Sequence, residues 1–147
     1  MDSLKNMIFD LSESNGTSGA EGEISDIIEK YVSAFAEVKK DKFGNVTAYM
    51  PAGEKTILLD AHMDRIGMIV THIEDGGFLR VAKCGGMDAR VLAAQDVTVW
   101  GREPVYGVVT STPPHLSTPE DAKKAKNFDS ILIDTGLSKE EAEKLIS

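Results

Sequence analysis

The residue types best suited to chemistry fall in one short stretch, Asp60-Ala61-His62-Met63-Asp64. A neutral imidazole is a good ligand for zinc, cobalt or a similar divalent ion. A ligating histidine needs its other ring nitrogen held by an acceptor, and a carboxylate commonly supplies it. If the backbone is extended, His62 and Asp64 share a face, because side chains two residues apart point the same way. His62 as metal ligand with Asp64 as its orienter is therefore a coherent pair. A bare His-x-Asp tripeptide also serves ordinary structural roles.

One histidine and one aspartate do not close a catalytic metal site, which normally takes three protein ligands. A two-metal hydrolase also needs a carboxylate bridging ions about 3.5 to 4 Å apart. The sequence after His62 offers no convincing set. His72 alternates in phase with Ile66, Met68 and Val70, so a packed structural role is expected for it. His115 follows Pro113-Pro114 and suits a loop or an interface as well as catalysis. Cys84 precedes Gly85-Gly86, has no CxxC partner and reads as a small, partly buried residue. Asp88 and Arg90 are spaced to pair with each other or with solvent. There is no His-Glu-x-x-His helix, Gly-x-Ser-x-Gly elbow, phosphate loop or Rossmann glycine fingerprint.

The elements that must position His62 alternate helix and strand. Leu4, Met7, Ile8 and Leu11 recur at helical spacing, and turn formers from Ser14 to Gly19 interrupt them. Ser18 and Glu21 have the spacing of a capping box. A second helix is expected behind them, carrying Ile24, Ile27, Ile28, Tyr31, Val32 and Phe35 on one face. Phe43-Gly44-Asn45 reads as a turn into a strand over Val46 to Met50. Ile57-Leu58-Leu59, just before the candidate ligand, has the continuous apolar character of a strand buried on both faces. In open α/β sheets ligands gather at the carboxyl ends of such strands.

Beyond residue 65 the pattern becomes that of a compact β module. Ile66 to Thr71, Phe78 to Val81, Val97 to Trp100 and Val105 to Val109 are strand-like, with Asp75-Gly76-Gly77 at hairpin distance between the first two. Pro119 to Ala125 suits a short helical turn and Ser130 to Asp134 a last strand. Ser138 caps a final helix opening with Lys139-Glu140-Glu141.

Composition bounds the partners. The 147 residues carry 16 Lys plus Arg against 24 Asp plus Glu, a net charge of −8. Such a chain is repelled by phosphate backbones and anionic lipid, which argues against nucleic acid or a membrane surface as partner. No apolar run approaches the roughly 18 to 20 residues of a spanning helix. A single cysteine and an N-terminus unlike a signal peptide point to the cytoplasm.

In order and spacing the chain resembles the glutamyl or deblocking aminopeptidases that assemble into tetrahedral dodecamers, a family often labelled endoglucanase or cellulase. The resemblance is carried by Leu11-Ser12-Glu13-Ser14-Asn15-Gly16-Thr17-Ser18-Gly19, Phe43-Gly44-Asn45-Val46 and Leu58-Leu59-Asp60-Ala61-His62-Met63-Asp64-Arg65-Ile66-Gly67. Thr71-His72-Ile73, Gly77 to Arg80, Asp88 to Leu92, Pro113-Pro114-His115-Leu116, Ile133 to Gly136 and Ser138 to Glu143 continue it.

The resemblance implies an α/β fold. Residues 1–65 would be the N-terminal part of a zinc-peptidase-like, three-layer catalytic domain. Residues 66–147 would be a β-rich dimerisation domain inserted into it, with the return to the catalytic domain missing. It implies that His62 binds one of two co-catalytic ions, zinc or cobalt, and that Asp64 orients it. It further implies peptide substrates and a homo-oligomer of dimers assembled to a dodecamer. Arg65 departs from the glutamate common in the family, and Arg90 with the Pro113-Pro114-His115 loop would have interface or loop roles. Family members run to more than twice this length, so the bridging aspartate, general-base glutamate and other ligands are expected outside this chain. Alone it is expected to be inactive. The alternatives are a non-catalytic assembly module, or a glycanase, as the family label suggests. A glycanase would need two carboxylic acids flanking a sugar bond, and nothing in the sequence singles out such a pair.

Overall fold

The computed structural model describes residues 2–110 and 128–146. The expected turn at Pro119–Ala125 and the loop carrying Pro113, Pro114 and His115 lie outside them. The chain is mixed helix and sheet, and divides into two compact units, Met1–Ile66 and Gly67–Ser147. No helix among the described residues is long and apolar enough to cross a membrane.

The first unit opens with two helices, α1 (Asp2–Glu13) and α2 (Gly22–Val32). Their apolar residues recur every three or four positions, as an amphipathic helix requires. Among the described residues of this unit Ile24 on α2 is the buried hydrophobic one, and Ser14 and Ser25 are buried polar ones. A hairpin follows, with β1 (Glu37–Lys40) antiparallel to β2 (Val46–Tyr49). Asp41 shapes its turn, accepting from the Phe43 amide at 2.8 Å, the Asn45 amide at 3.0 Å and Asn45 Nδ2 at 2.8 Å. Lys40 ties the hairpin to α2 through Asp26 and, at 2.8 Å, Glu29.

Two expectations fail in this unit. Ile57-Leu58-Leu59 is not a buried strand: no strand among the described residues pairs with it, and Leu58 is 85% exposed. Apolar character alone does not make a strand, since an extended segment also needs a neighbour for its backbone N–H and C=O groups. Ser18 does not cap α2 either. The residue before the helix is Glu21, which makes no side-chain cap bond, and Ser18 lies too far upstream to reach the orphan amides.

The second unit is a five-stranded antiparallel sheet of order β3-β4-β7-β6-β5. Its strands are β3 (Gly67–Ile73), β4 (Leu79–Cys84), β5 (Asp96–Trp100), β6 (Pro104–Val109) and β7 (Leu132–Asp134). Two hairpins, β3–β4 and β5–β6, are bridged by β7 between β4 and β6. Alternate residues of β4, Leu79 and Val81, point inward and pack with Val99, Val109, Ile131 and Ile133. Gly77 in the first hairpin has φ +84°, and a Cβ there would stand 2.0 Å from the Leu137 carbonyl oxygen, so only glycine fits.

Helix α3 (Lys139–Ile146) closes this unit with Ala142 fully buried. Ser138 and Glu141 form a reciprocal capping box. The Glu141 amide donates to Ser138 Oγ at 3.4 Å, and the Ser138 amide to Glu141 Oε2 at 2.9 Å.

His72 departs from expectation. The register of β3 against β4 shifts between Val70 and His72, leaving Thr71 as an extra residue. A bulge of this kind resets the alternation of faces. His72 is consequently exposed instead of packed.

Candidate metal-binding site

The His62–Asp64 segment is held against the connection between α1 and α2, within the first unit. Gly16 in that connection is buried under Ile24, and a Cβ on it would come within 2.8 Å of Ile24 Cγ2. The absence of a side chain therefore lets the loop lie flat on α2. The next residue, Thr17, makes a parallel bridge with Arg65, whose amide donates to the Gly16 carbonyl at 2.8 Å. Arg65 completes the attachment: Nη1 donates to the Ser12 carbonyl at 3.1 Å and to the Ser14 carbonyl at 3.0 Å. These acceptors sit at the C-terminal end of α1, where orphan carbonyls and the helix dipole favour a cation. The Arg65 charge is thus committed to a helix end.

Upstream of Arg65 the side chains form a chain of contacts. Asp64 Oδ1 lies 2.8 Å from His62 Nδ1, and the other carboxylate oxygen, Oδ2, accepts from the Ser18 hydroxyl. The Asp64 carbonyl lies 3.1 Å from the same His62 nitrogen. An ionised carboxylate and a carbonyl only accept, so Nδ1 carries a ring proton, and in the neutral imidazole the lone pair is then on Nε2. Hydrogen bonds from Ser18 and then from His62 hold the Asp64 carboxyl below its ordinary range, keeping it an acceptor. The His62 side chain is 86% exposed, so its free nitrogen is open to solvent, while Asp64, at 40%, is more enclosed.

The donor set can therefore present one imidazole nitrogen with its tautomer already selected. Such a group fits one position of a zinc or cobalt coordination sphere. Among the described residues no cluster of three or more His, Cys, Asp or Glu could hold an ion.

The other candidates among the described residues belong to the second unit. His72 is on β3, and Cys84 is half-buried at the end of β4. Asp88 and Arg90 do pair. Arg90 Nε lies 2.9 Å from Asp88 Oδ1, and the Arg90 amide donates to that oxygen at 3.0 Å, capping a short 3-10 turn at Ala89–Val91. Sequence reasoning missed Ser18 as a partner of Asp64. The usable signal is that a carboxylate with one oxygen on a histidine has a second oxygen to satisfy.

Comparison with known proteins fixes the family. The profile of the M42 glutamyl aminopeptidases matches residues 44–147. The lysyl aminopeptidase of Pyrococcus furiosus is 40% identical over 138 residues, covering 90% of this chain. The chain belongs to the M42 glutamyl aminopeptidase family.

Among solved structures, this M42 chain resembles a TET aminopeptidase from a marine sediment archaeon of the Thaumarchaeota. The TM-score is 0.90 at 35% identity, covering 97% of this chain and 41% of that one. It also resembles the TET1 peptidase of Pyrococcus horikoshii, which can assemble into a tetrahedron or a large octahedral shell. That match has a TM-score of 0.83 at 40% identity, covering 96% of this chain and 44% of the other. The chain spans about 40% of the length of the Pyrococcus furiosus relative.

Proposed function

We propose that this chain supplies the first metal-binding histidine of a two-metal aminopeptidase that removes N-terminal residues from peptides. His62 Nε2 is the direct ligand, and Asp64 holds the Nδ1 proton so that Nε2 faces the ion. The observation that carries this reading is the 2.8 Å contact between Asp64 Oδ1 and His62 Nδ1 on an imidazole otherwise open to solvent. When bound, two divalent ions, zinc or cobalt, polarise the scissile carbonyl and acidify an attacking water. The bridging carboxylate, the other ligands and the general-base glutamate belong to sequence outside these 147 residues. That assignment draws support from the chain spanning 40% of a curated relative.

In the same reading residues 1–65 are part of the catalytic domain. Residues 66–147 form the dimerisation domain of a cytoplasmic homo-oligomer. The sheet's own buried core supports reading this stretch as a domain of its own.

The test uses the protein expressed at its full genomic length. Aminoacyl-anilides and β-glucans are assayed before and after chelation, with light scattering on the same preparation. Chelator-sensitive peptidase activity, lost together with one bound metal in His62→Ala, is expected of an assembly larger than a dimer. Chelator-resistant glucan cleavage without peptidase activity would end the reading.

A further inference from the structure

We infer that Ser18 is a positioning residue for His62, acting through Asp64; this rests on His62 being a metal ligand. Asp64 has two carboxylate oxygens and each is used: Oδ1 contacts His62 Nδ1 at 2.8 Å, and Oδ2 accepts from the Ser18 hydroxyl. A carboxylate held through one oxygen alone can rotate about its χ2 torsion, which is broad and weakly restricted. Held at both ends, it keeps one oxygen in the plane where the imidazole N–H must point. The proton on Nδ1 is thereby favoured over the alternative on Nε2, and only the first leaves the outward nitrogen free to bind a metal.

The placement of Ser18 is itself fixed. Its neighbour Thr17 bridges to Arg65, and Gly16 accepts from the Arg65 amide at 2.8 Å. The loop that delivers the hydroxyl and the segment that carries the carboxylate are therefore stitched together one residue away on each side. Ser18 is also not occupied as a helix cap: α2 begins after Glu21, and Glu21 Oε1 accepts from the Gly19 amide at 2.8 Å. The hydroxyl is left to serve Asp64.

The primary readout is the tautomer of His62 in the metal-free protein. It is read from imidazole nitrogen shifts at about pH 8, above the usual histidine titration. The sequence has 3 histidines, so a His62→Gln control assigns the signal. The unsubstituted protein is expected to hold the Nδ1–H form predominantly, with Ser18→Ala giving a mixture.

Ser18→Thr and Ser18→Val form the decisive pair, because they differ by a hydroxyl against a methyl at nearly equal volume. Thr should keep the Nδ1–H form and Val should lose it. In the full-length protein, zinc affinity should fall about tenfold in Ser18→Val and recover in Ser18→Thr, within the range for outer partners of metal ligands. Equal tautomer populations in Thr and Val would overturn the role. So would loss of amide dispersion over residues 14–32 in both Ala and Val, which would make Ser18 a structural residue. The ligand reading fails separately: if His62→Ala retains both metals, His62 is not a ligand, whatever its tautomer.

Discussion

In Gly67–Ser147 the apolar residues Leu79, Val81, Val99, Val109, Ile131 and Ile133 are buried against one another across the sheet. In Met1–Ile66, Ile24 is the buried hydrophobic residue among those described, while Ile57, Leu58, Leu59, Phe43 and Tyr49 are exposed. The candidate metal ligand belongs to Met1–Ile66 and not to Gly67–Ser147. The sheet is held by apolar contact, which is non-directional and tolerant of small shifts. The His62 segment is held by hydrogen bonds, from Arg65 to helix-end carbonyls and from Ser18 to Asp64, which fix direction as well as distance. A ligand's nitrogen must be aimed, and directional bonds suit that purpose better than a larger core.

The largest effect should come from attacking the sheet. Leu79 is fully buried, and Leu79→Ala should cost about 2 to 5 kcal/mol, the range for truncating a core leucine. The same truncation at Ile24, which is 7% exposed, should fall near the lower end, about 2 kcal/mol. Hydrogen exchange read residue by residue distinguishes the two. Leu79→Ala should lower protection across β4, β6 and β7, and Ile24→Ala across α1 and α2. If Ile24→Ala proves the costlier, the contrast between an apolar and a polar region is wrong.

A middle-sized effect is expected at Arg65. Its two side-chain bonds, 3.1 Å to Ser12 and 3.0 Å to Ser14, are charge-assisted but close to solvent. Arg65→Ala should cost about 1 to 2 kcal/mol by urea unfolding, around the lower end of the range for hydrogen bonds to charged groups. The Arg65 amide, bonded to Gly16, should also exchange faster. An unchanged midpoint would mean that the backbone bridge alone holds the segment.

Two identical spacings show how far the sequence could be read. Ser18-x-x-Glu21 and Ser138-x-x-Glu141 both have the pattern of a capping box, and only the second forms one. In the second, α3 begins at Lys139, directly after the serine, so the hydroxyl reaches an orphan amide. In the first, α2 begins at Gly22, and the serine's partner is Asp64, 46 residues away in sequence. Local periodicity does foretell α1, α2, the β3–β4 hairpin and the strands β5 and β6, because each is decided by neighbours within a few positions. It does not foretell a side chain bonded across the chain, a bulge at Thr71 that turns His72 outward, or whether Ile57–Leu59 finds a strand to pair with. His62 and Asp64 are spaced to meet, and they do; what holds Asp64 from behind depends on tertiary contact.

The smallest effect compares how each region holds an exposed carboxylate. Asp41, in the first region, is kept below its ordinary range chiefly by the Asn45 side chain, then by backbone amides from Phe43, Asn45 and Gly44. Asp88, in the second, is lowered to about 2, first by the Arg90 side chain and then by its amide. In both cases the folded pKa lies below the unfolded one. The carboxylate's contribution is therefore fully present above the ordinary range near pH 4 and is lost as pH falls through the folded value. The partners differ in kind: amides are neutral, whereas the guanidinium is charged and stands in solvent. Added salt should therefore raise the Asp88 midpoint, because an exposed ion pair is screened, and should leave the Asp41 midpoint nearly in place. Carboxyl-carbon titration at low salt and at about 1 M salt, where screening is nearly complete, measures both in one sample. Arg90→Ala should raise the Asp88 midpoint and remove its salt dependence, while Asn45→Ala should raise that of Asp41 at either salt. A salt response of equal size at the two sites would show that Asp41 too is held by charge, and the contrast between the two carboxylates would not hold.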